Sequence, residues 1–353
     1  MDENLSEYYY YDESELLCPT VSAFYEFETV YGIIGCTIAT IGILGNMVSI
    51  VVLSQARLSS TTSFFLKCLA LFDTLLLALD MLIYTIPWII DMCGIWDHFL
   101  VATLFIVYPL SAVSHTGSIY MVIVLALERF MAVSKPFHAM SKWTFSRARK
   151  VAACVLLWSF LYNAPRFFEY RPRLYTDLTW NMTWLNSNST ALTNNRDYVM
   201  IYLGYINLVI EIICPLVVLS VFHIQLLHLL QTRNKSILRI NAVREQDTHK
   251  LAATVFAITF VLFACQIFVF VNNILSTTLW KEECTIACFH LHHITIIVVM
   301  INSAANFIFY CVLGRKFRIV LMELFIGRRQ TVTTYIKSSE ANGHSLVSVG
   351  PTY

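Results

Sequence analysis

The chain has 353 residues, of which 57% are hydrophobic and only 13% charged; its mean hydropathy is +0.63 and its net charge +1. A soluble globule of this size would carry about a quarter charged residues. That excludes an ordinary water-soluble domain, and nothing in the near-neutral charge suggests a nucleic-acid partner.

The first 29 residues read as an acidic extracellular tail. Residues 1–30 hold Asp2, Glu3, Glu7, Asp12, Glu13, Glu15, Glu26 and Glu28 but no Lys or Arg. Tyr8 to Tyr11 stand among these acids, where tyrosine sulfation would add charge. No cationic segment precedes an early apolar run, so no cleaved signal peptide is expected. Seven apolar stretches follow, near 30–54, 64–90, 97–131, 150–169, 198–229, 250–276 and 286–313. Each is long enough for a helix through a hydrocarbon core of about 30 Å. The expected fold is an all-α membrane protein, a seven-transmembrane helix bundle over 30–313. After Gly314, the residues Phe317, Val320, Leu321, Leu324 and Phe325 recur at helical spacing. They predict a short amphipathic helix over 314–326 lying on the membrane surface, in contact with lipid. Residues 327–353 are polar and Ser/Thr-bearing and are expected to be a disordered cytoplasmic tail.

Orientation follows from the basic residues. The loops after the first, third and fifth spans and the C-terminal tail hold most of the Lys and Arg, including Arg57, Lys135, Arg147, Arg233 and Arg315. The positive-inside rule therefore puts the N-terminus outside and the C-terminus inside. Glycosylation sequons at Asn4, Asn181 and Asn188 fall on the outer side. The sequon at Asn234 falls inside and should stay bare.

Several polar residues do not belong in lipid. Asn46, Asp73, Ser118, Asn302, Ser303 and Asn306 lie on four spans, most of them roughly 10–17 Å from the inner end at 1.5 Å per residue. Their common depth predicts one shared polar pocket, since intramembrane acids default to function. Asp80, Glu169 and Glu211 occupy the outer halves of spans two, four and five. Together with Trp88, Ser111, His115, His290 and His293 they are the candidate ligand pocket. His290 and His293 are a helical turn apart, but no third ligand accompanies them, so no metal is expected at these histidines.

The ordered set Gly45-Asn46, Leu69-Ala70-Leu71-Phe72-Asp73, Glu128-Arg129-Phe130, Trp158, Pro215 and Asn306-Phe307-Ile308-Phe309-Tyr310 resembles the rhodopsin-like (class A) G protein-coupled receptors. Two stretches, Leu161-Tyr162-Asn163-Ala164-Pro165-Arg166-Phe167-Phe168-Glu169 and Ile301-Asn302-Ser303-Ala304-Ala305-Asn306-Phe307, are most similar to invertebrate FMRFamide-type neuropeptide receptors. The resemblance implies a plasma-membrane receptor without enzymatic activity that takes an extracellular peptide. It also implies a heterotrimeric G protein as partner, with arrestin and receptor kinases. Glu128, Arg129, Phe130, Asn306 and Tyr310 would then serve G protein coupling and activation. Asp73, Ser118, Asn302, Ser303 and Asn306 would form a sodium pocket with Asn46 as outer partner, and no other cofactor is implied. A peptide ending in Arg-Phe-amide would bring its guanidinium to one of the outer carboxylates.

The chain also departs from that class. Aligned by motif, Ile267 and Val269 stand where span six usually has Trp and Pro. Phe307 replaces a Pro, His223 replaces a Tyr, and His249 stands where an acid usually pairs with the Arg129 position. The usual disulfide between span three and the second outer loop is missing at both ends. Cys18, Cys93, Cys284 and Cys288 are left as outer candidates, with Cys18 expected to join Cys284 or Cys288. The other six, Cys36, Cys68, Cys154, Cys214, Cys265 and Cys311, read as small buried hydrophobes. A retinal receptor is excluded because residues 286–313 contain no Lys, and an amine receptor is disfavoured by Ser111. A non-signalling scavenger receptor, or a class A receptor for a non-peptide ligand, are the alternatives.

Overall fold

The computed structural model describes residues 19–85, 103–134, 144–177, 182–234, 242–278 and 286–326. Helix α1 runs Pro19–Leu53 over 35 residues. It starts well before residue 30 because Pro19 suits a first helical turn, where its missing N–H has no helical partner to lose. At 1.5 Å per residue it is about 50 Å long and extends beyond the bilayer core. A tight turn, Ala56–Leu58, leads to α2 (Thr61–Asp80), capped by Ser60, whose hydroxyl accepts from the Ser63 N–H at 3.1 Å. A wide turn, Met81–Thr85, extends α2 outward.

A similar wide turn, Thr103–Val107, opens α3 (Tyr108–Ser134). Helix α4 (Phe145–Asn163), capped by Thr144, tightens into the turn Ala164–Phe168 where Pro165 enters. The long outer connection is an antiparallel hairpin that the sequence analysis had not resolved, with Tyr170–Asp177 pairing Met182–Ser189 and Tyr170 opposite Ser189. The fifth segment begins as two wide-turn stretches, Tyr198–Ile206 and Leu208–Ile213, before α5 (Cys214–Asn234). Pro215 explains part of this. Lacking an N–H, it cannot bond the Glu211 carbonyl, and the wider turn upstream accommodates the loss. Helix α6 (Ala242–Thr278) is continuous over 37 residues, as fits a span without proline. Helix α7 covers Ile286–Leu313 and α8 Arg315–Ile326. Gly314 permits the corner between them, because an added Cβ would lie 2.6 Å from the Tyr310 carbonyl oxygen.

Helix α1 packs on α2 and α7, and α6 packs on α5 and α7. Helix α3 runs through the middle, touching α2, α4, α5 and α6. Six of the described helical segments are long and apolar enough to cross a membrane. Helix α2 is the polar one, with Lys67, Asp73 and Asp80 in its 20 residues. Phe65, Leu69, Ile119, Met121, Leu125 and Leu219 are fully buried among the spans, while Ile41, Leu44, Leu157, Leu161, Ile224 and Phe260 are exposed. That inside-out pattern suits lipid, where helices associate by close packing rather than by hydrophobic exclusion. Helix α1 comes close to α7 and α2 at Gly42, where a Cβ would stand 2.7 Å from both Ala304 Cβ and Leu77 Cδ1.

Cys154 and Cys214 are exposed on the lipid side and not buried, and of the six span cysteines only Cys265 is fully inside. A thiol is apolar enough to face acyl chains, so burial is not required of it. The motif alignment that set Ile267 at the usual Trp position also fails in three dimensions. Ile267 is 61% exposed whereas Gln266 is 2% exposed. Successive residues of a helix differ by about 100° in direction, so in this continuous α6 it is Gln266 that faces the bundle.

Candidate functional site

The buried polar residues gather into three sets, and α3 contributes to every one. At the inner end, Arg129 is buried and donates Nε to Glu128 Oε2 at 2.6 Å and Nη2 to Glu128 Oε1 at 2.5 Å. Thr62, on the first turn of α2, donates to Glu128 Oε1 at 3.0 Å and also receives Arg129 Nη2. The guanidinium is thus held by its own neighbour and by α2. Phe130 stacks on Phe222 of α5, ring centres 5.8 Å apart. Tyr310 is buried with its ring 5.6 Å from that of Phe317 on α8, and its hydroxyl has no partner among the described residues.

Midway, Asp73 is fully buried and accepts from Ser118 Oγ at 2.6 Å and from Asn306 Nδ2 at 2.6 Å. Asn46 donates to the Ser303 carbonyl at 3.1 Å. The Asn46 Oδ1 and Ser303 Oγ atoms are buried and, among the described residues, meet no partner at full hydrogen-bond geometry. Orphaned buried oxygens are uncommon because they forfeit a hydrogen bond. Beside a carboxylate they form a set of hard donors that fits a small cation such as sodium. Asn302 stands apart from this set: it is only half-buried and none of the described hydrogen bonds ties it to Asp73. Its position next to Ser303 turns it about 100° away on the helix.

The outer set is larger. Ser111 donates to Asp80 Oδ1 at 2.5 Å. Thr116 donates to Glu211 Oε1 at 2.5 Å, and His115 Nδ1 lies 3.9 Å from Glu211 Oε2. Asn163 of α4 donates to Thr116 Oγ1 at 2.8 Å and accepts from Arg166 Nε at 3.1 Å. Arg166 also donates to Tyr108 Oη at 2.6 Å and lies over the Tyr108 ring, 5.7 Å from its centre. With its amide turned to match its neighbours, Asn207 gives its N–H to Glu211 Oε2 at 3.2 Å and accepts from Arg166 Nη2 at 3.0 Å. Glu211 and Arg166 are therefore linked through Asn207. Glu169 takes its hydrogen bond from Tyr198 Oη at 2.6 Å, a tyrosine across the mouth. Higher on α7, Tyr31 bonds His290 Nδ1 at 3.0 Å and stacks on His293, and Tyr84 meets His292 edge-on.

Among the described residues, no group of His, Cys, Asp and Glu side chains has the geometry of a metal site. Trp88, Cys18, Cys93, Cys284, the Cys288 side chain, Asn4 and Asn181 lie outside the described residues. Asn188 is half-buried on the second hairpin strand, opposite Arg171. Thr62, Thr116, Asn163 and Arg166 also belong to these sets, beyond the site residues expected from sequence. The signal was present for Asn163 and Thr116, as polar side chains inside apolar spans seek partners.

Comparison with known proteins accords with this layout. The family model of the 7-transmembrane receptors of the rhodopsin family matches residues 45–310. The FMRFamide receptor of Drosophila melanogaster is 26% identical over 304 residues, covering 85% of this chain and 54% of that protein. An FMRFamide peptide receptor of Caenorhabditis elegans is 28% identical over 296 residues, covering 81% of this chain and 66% of that one. The sex peptide receptor of Drosophila melanogaster is 24% identical over 329 residues, with 85% and 73% covered. The chain thus spans less than two thirds of the length of the first two relatives.

Proposed function

The chain belongs to the rhodopsin family of seven-transmembrane receptors, and on that premise we propose that it is a plasma-membrane receptor for an extracellular neuropeptide, signalling through a heterotrimeric G protein. The N-terminus faces outward and the C-terminus inward, as the Lys and Arg distribution supports. The ligand is an amidated peptide with a basic residue near its C-terminus. The named relatives that take FMRFamide peptides support this choice, and so does the excess of buried carboxylates at the outer end.

One observation carries the reading. Helix α3 supplies Ser111, His115 and Thr116 to the outer set, Ser118 to the middle set, and Glu128 and Arg129 to the inner set. A ligand that rearranges the outer partners displaces the same helix that holds Arg129 closed. Differential binding to two arrangements of that helix is all that a population shift requires. Asp73 and the oxygens of Ser118, Ser303 and Asn46 hold a sodium ion in the closed arrangement, and arrestin and receptor kinases act on the open one. The test is expression of the chain in cells challenged with a library of amidated neuropeptides, reading calcium and cyclic AMP. A dose-dependent response to Arg-Phe-amide peptides is expected. Response only to an amine, a lipid or an acidic peptide would overturn the ligand class.

A further inference from the structure

The three outer carboxylates are not equivalent. Asp80, Glu169 and Glu211 are all buried. Glu211 already has Thr116, His115 and, through Asn207, the Arg166 guanidinium. Glu169 has the Tyr198 hydroxyl and sits three residues from Arg166 in the tight turn Ala164–Phe168 and its cap. Asp80 has Ser111 Oγ and, among the described residues, no basic side chain. A carboxylate buried with one neutral donor is in an unfavourable state, because a buried charge needs a counter-charge or further hydrogen bonds.

We infer that Asp80 is the carboxylate that receives the cationic side chain of the ligand, while Glu211 and Arg166 form an internal pair that shapes the pocket without binding that cation. The inference rests on the peptide-receptor reading above and assigns its recognition step. Asp80 lies at the outer end of α2, and Tyr84 stands one turn above it, edge-on to His292. A guanidinium reaching Asp80 would pass this aromatic wall, and an adjacent aromatic side chain of the ligand would stay against it. Ser111 would keep its bond to Oδ1, leaving the other carboxylate oxygen to the incoming N–H groups.

Two measurements decide the matter. The first uses synthetic Phe-Met-Arg-Phe-amide and its citrulline analogue, in which the guanidinium is replaced by a neutral urea of the same shape. The unmutated receptor should lose about ten- to a hundred-fold in potency with citrulline, the worth of a charge-assisted bond. Asp80→Asn should lose a similar factor toward the Arg peptide and no longer distinguish the two. Glu211→Gln should be weaker toward both but keep the preference. If Asp80→Asn still prefers Arg by the full factor, Asp80 is not the partner.

The second measurement needs no agonist and separates a failure here from a failure of the peptide reading. In purified, ligand-free receptor, Asp80→Asn keeps an acceptor for Ser111 and removes an uncompensated charge, so its thermal midpoint should rise by a few degrees. Glu211→Gln should lower the midpoint, since it weakens a satisfied network. A fall on Asp80→Asn equal to that of Glu211→Gln would make Asp80 structural and overturn the inference, whichever peptides activate the receptor.

Discussion

The inner lock can be opened with a single methyl group. Thr62→Val keeps the shape of the side chain and removes the hydroxyl that donates to Glu128 Oε1 at 3.0 Å and receives Arg129 Nη2. Both bonds of that hydroxyl are lost, but Glu128 and Arg129 still satisfy each other through contacts of 2.6 Å and 2.5 Å, so neither charge is left unpaired and the combined net loss is about that of one full-strength charged hydrogen bond. Such a bond contributes about 1.5–3 kcal/mol, which shifts the closed-to-open ratio roughly ten- to hundred-fold. From a receptor open about 1% of the time, ligand-free activity should rise to roughly 10–50% of maximum. The assay is basal second-messenger output per receptor at the cell surface, with Thr62→Ser as the control that restores the hydroxyl. Unchanged basal output in Thr62→Val at normal surface level would refute the view that α2 holds Arg129 closed.

Raising external sodium should weaken agonist binding, and Asp73→Ala should abolish that dependence; affinity indifferent to sodium in the unmutated receptor would remove the ion from the account of Asp73. Gly42→Ala places a methyl where Ala304 Cβ and Leu77 Cδ1 would be 2.7 Å away, so α1 must retreat from α7 at a cost of about 1–3 kcal/mol, visible as a lower thermal midpoint of the purified receptor; an unchanged midpoint would contradict the close approach. Cys18 should be found bridged to Cys284 or Cys288 in non-reducing peptide maps of surface-expressed protein, and a free Cys18 thiol would rule that bridge out.

The helices were legible because lipid leaves little freedom: a long apolar run has to be a helix, and its few polar residues have to meet. Asp73, Ser118 and Asn306 stand out in sequence by depth alone, and the structure joins them. What sequence spacing left open was rotation and detail within the helices. Motif counting put Ile267 at the usual Trp position, but the continuous α6 turns Gln266 inward. Asn302 shared the depth of the pocket yet points away from its centre, for depth does not fix direction. Thr62 looked like an ordinary helix-start residue until its hydroxyl was seen between Glu128 and Arg129. The hairpin after α4 was obscured because its strands, Tyr170–Asp177 and Met182–Ser189, carry Pro172 and several Asn and Ser residues that usually mark loops.

The most direct test of a peptide receptor acting through α3 is peptide-evoked G protein dissociation in intact cells, measured side by side for the unmutated chain and Arg129→Ala. An amidated basic neuropeptide should drive dissociation in the first, and should bind the second with dissociation lost. Dissociation in Arg129→Ala equal to the unmutated chain, or none with any peptide in the unmutated chain, would contradict the proposed coupling between the outer carboxylates and the inner arginine.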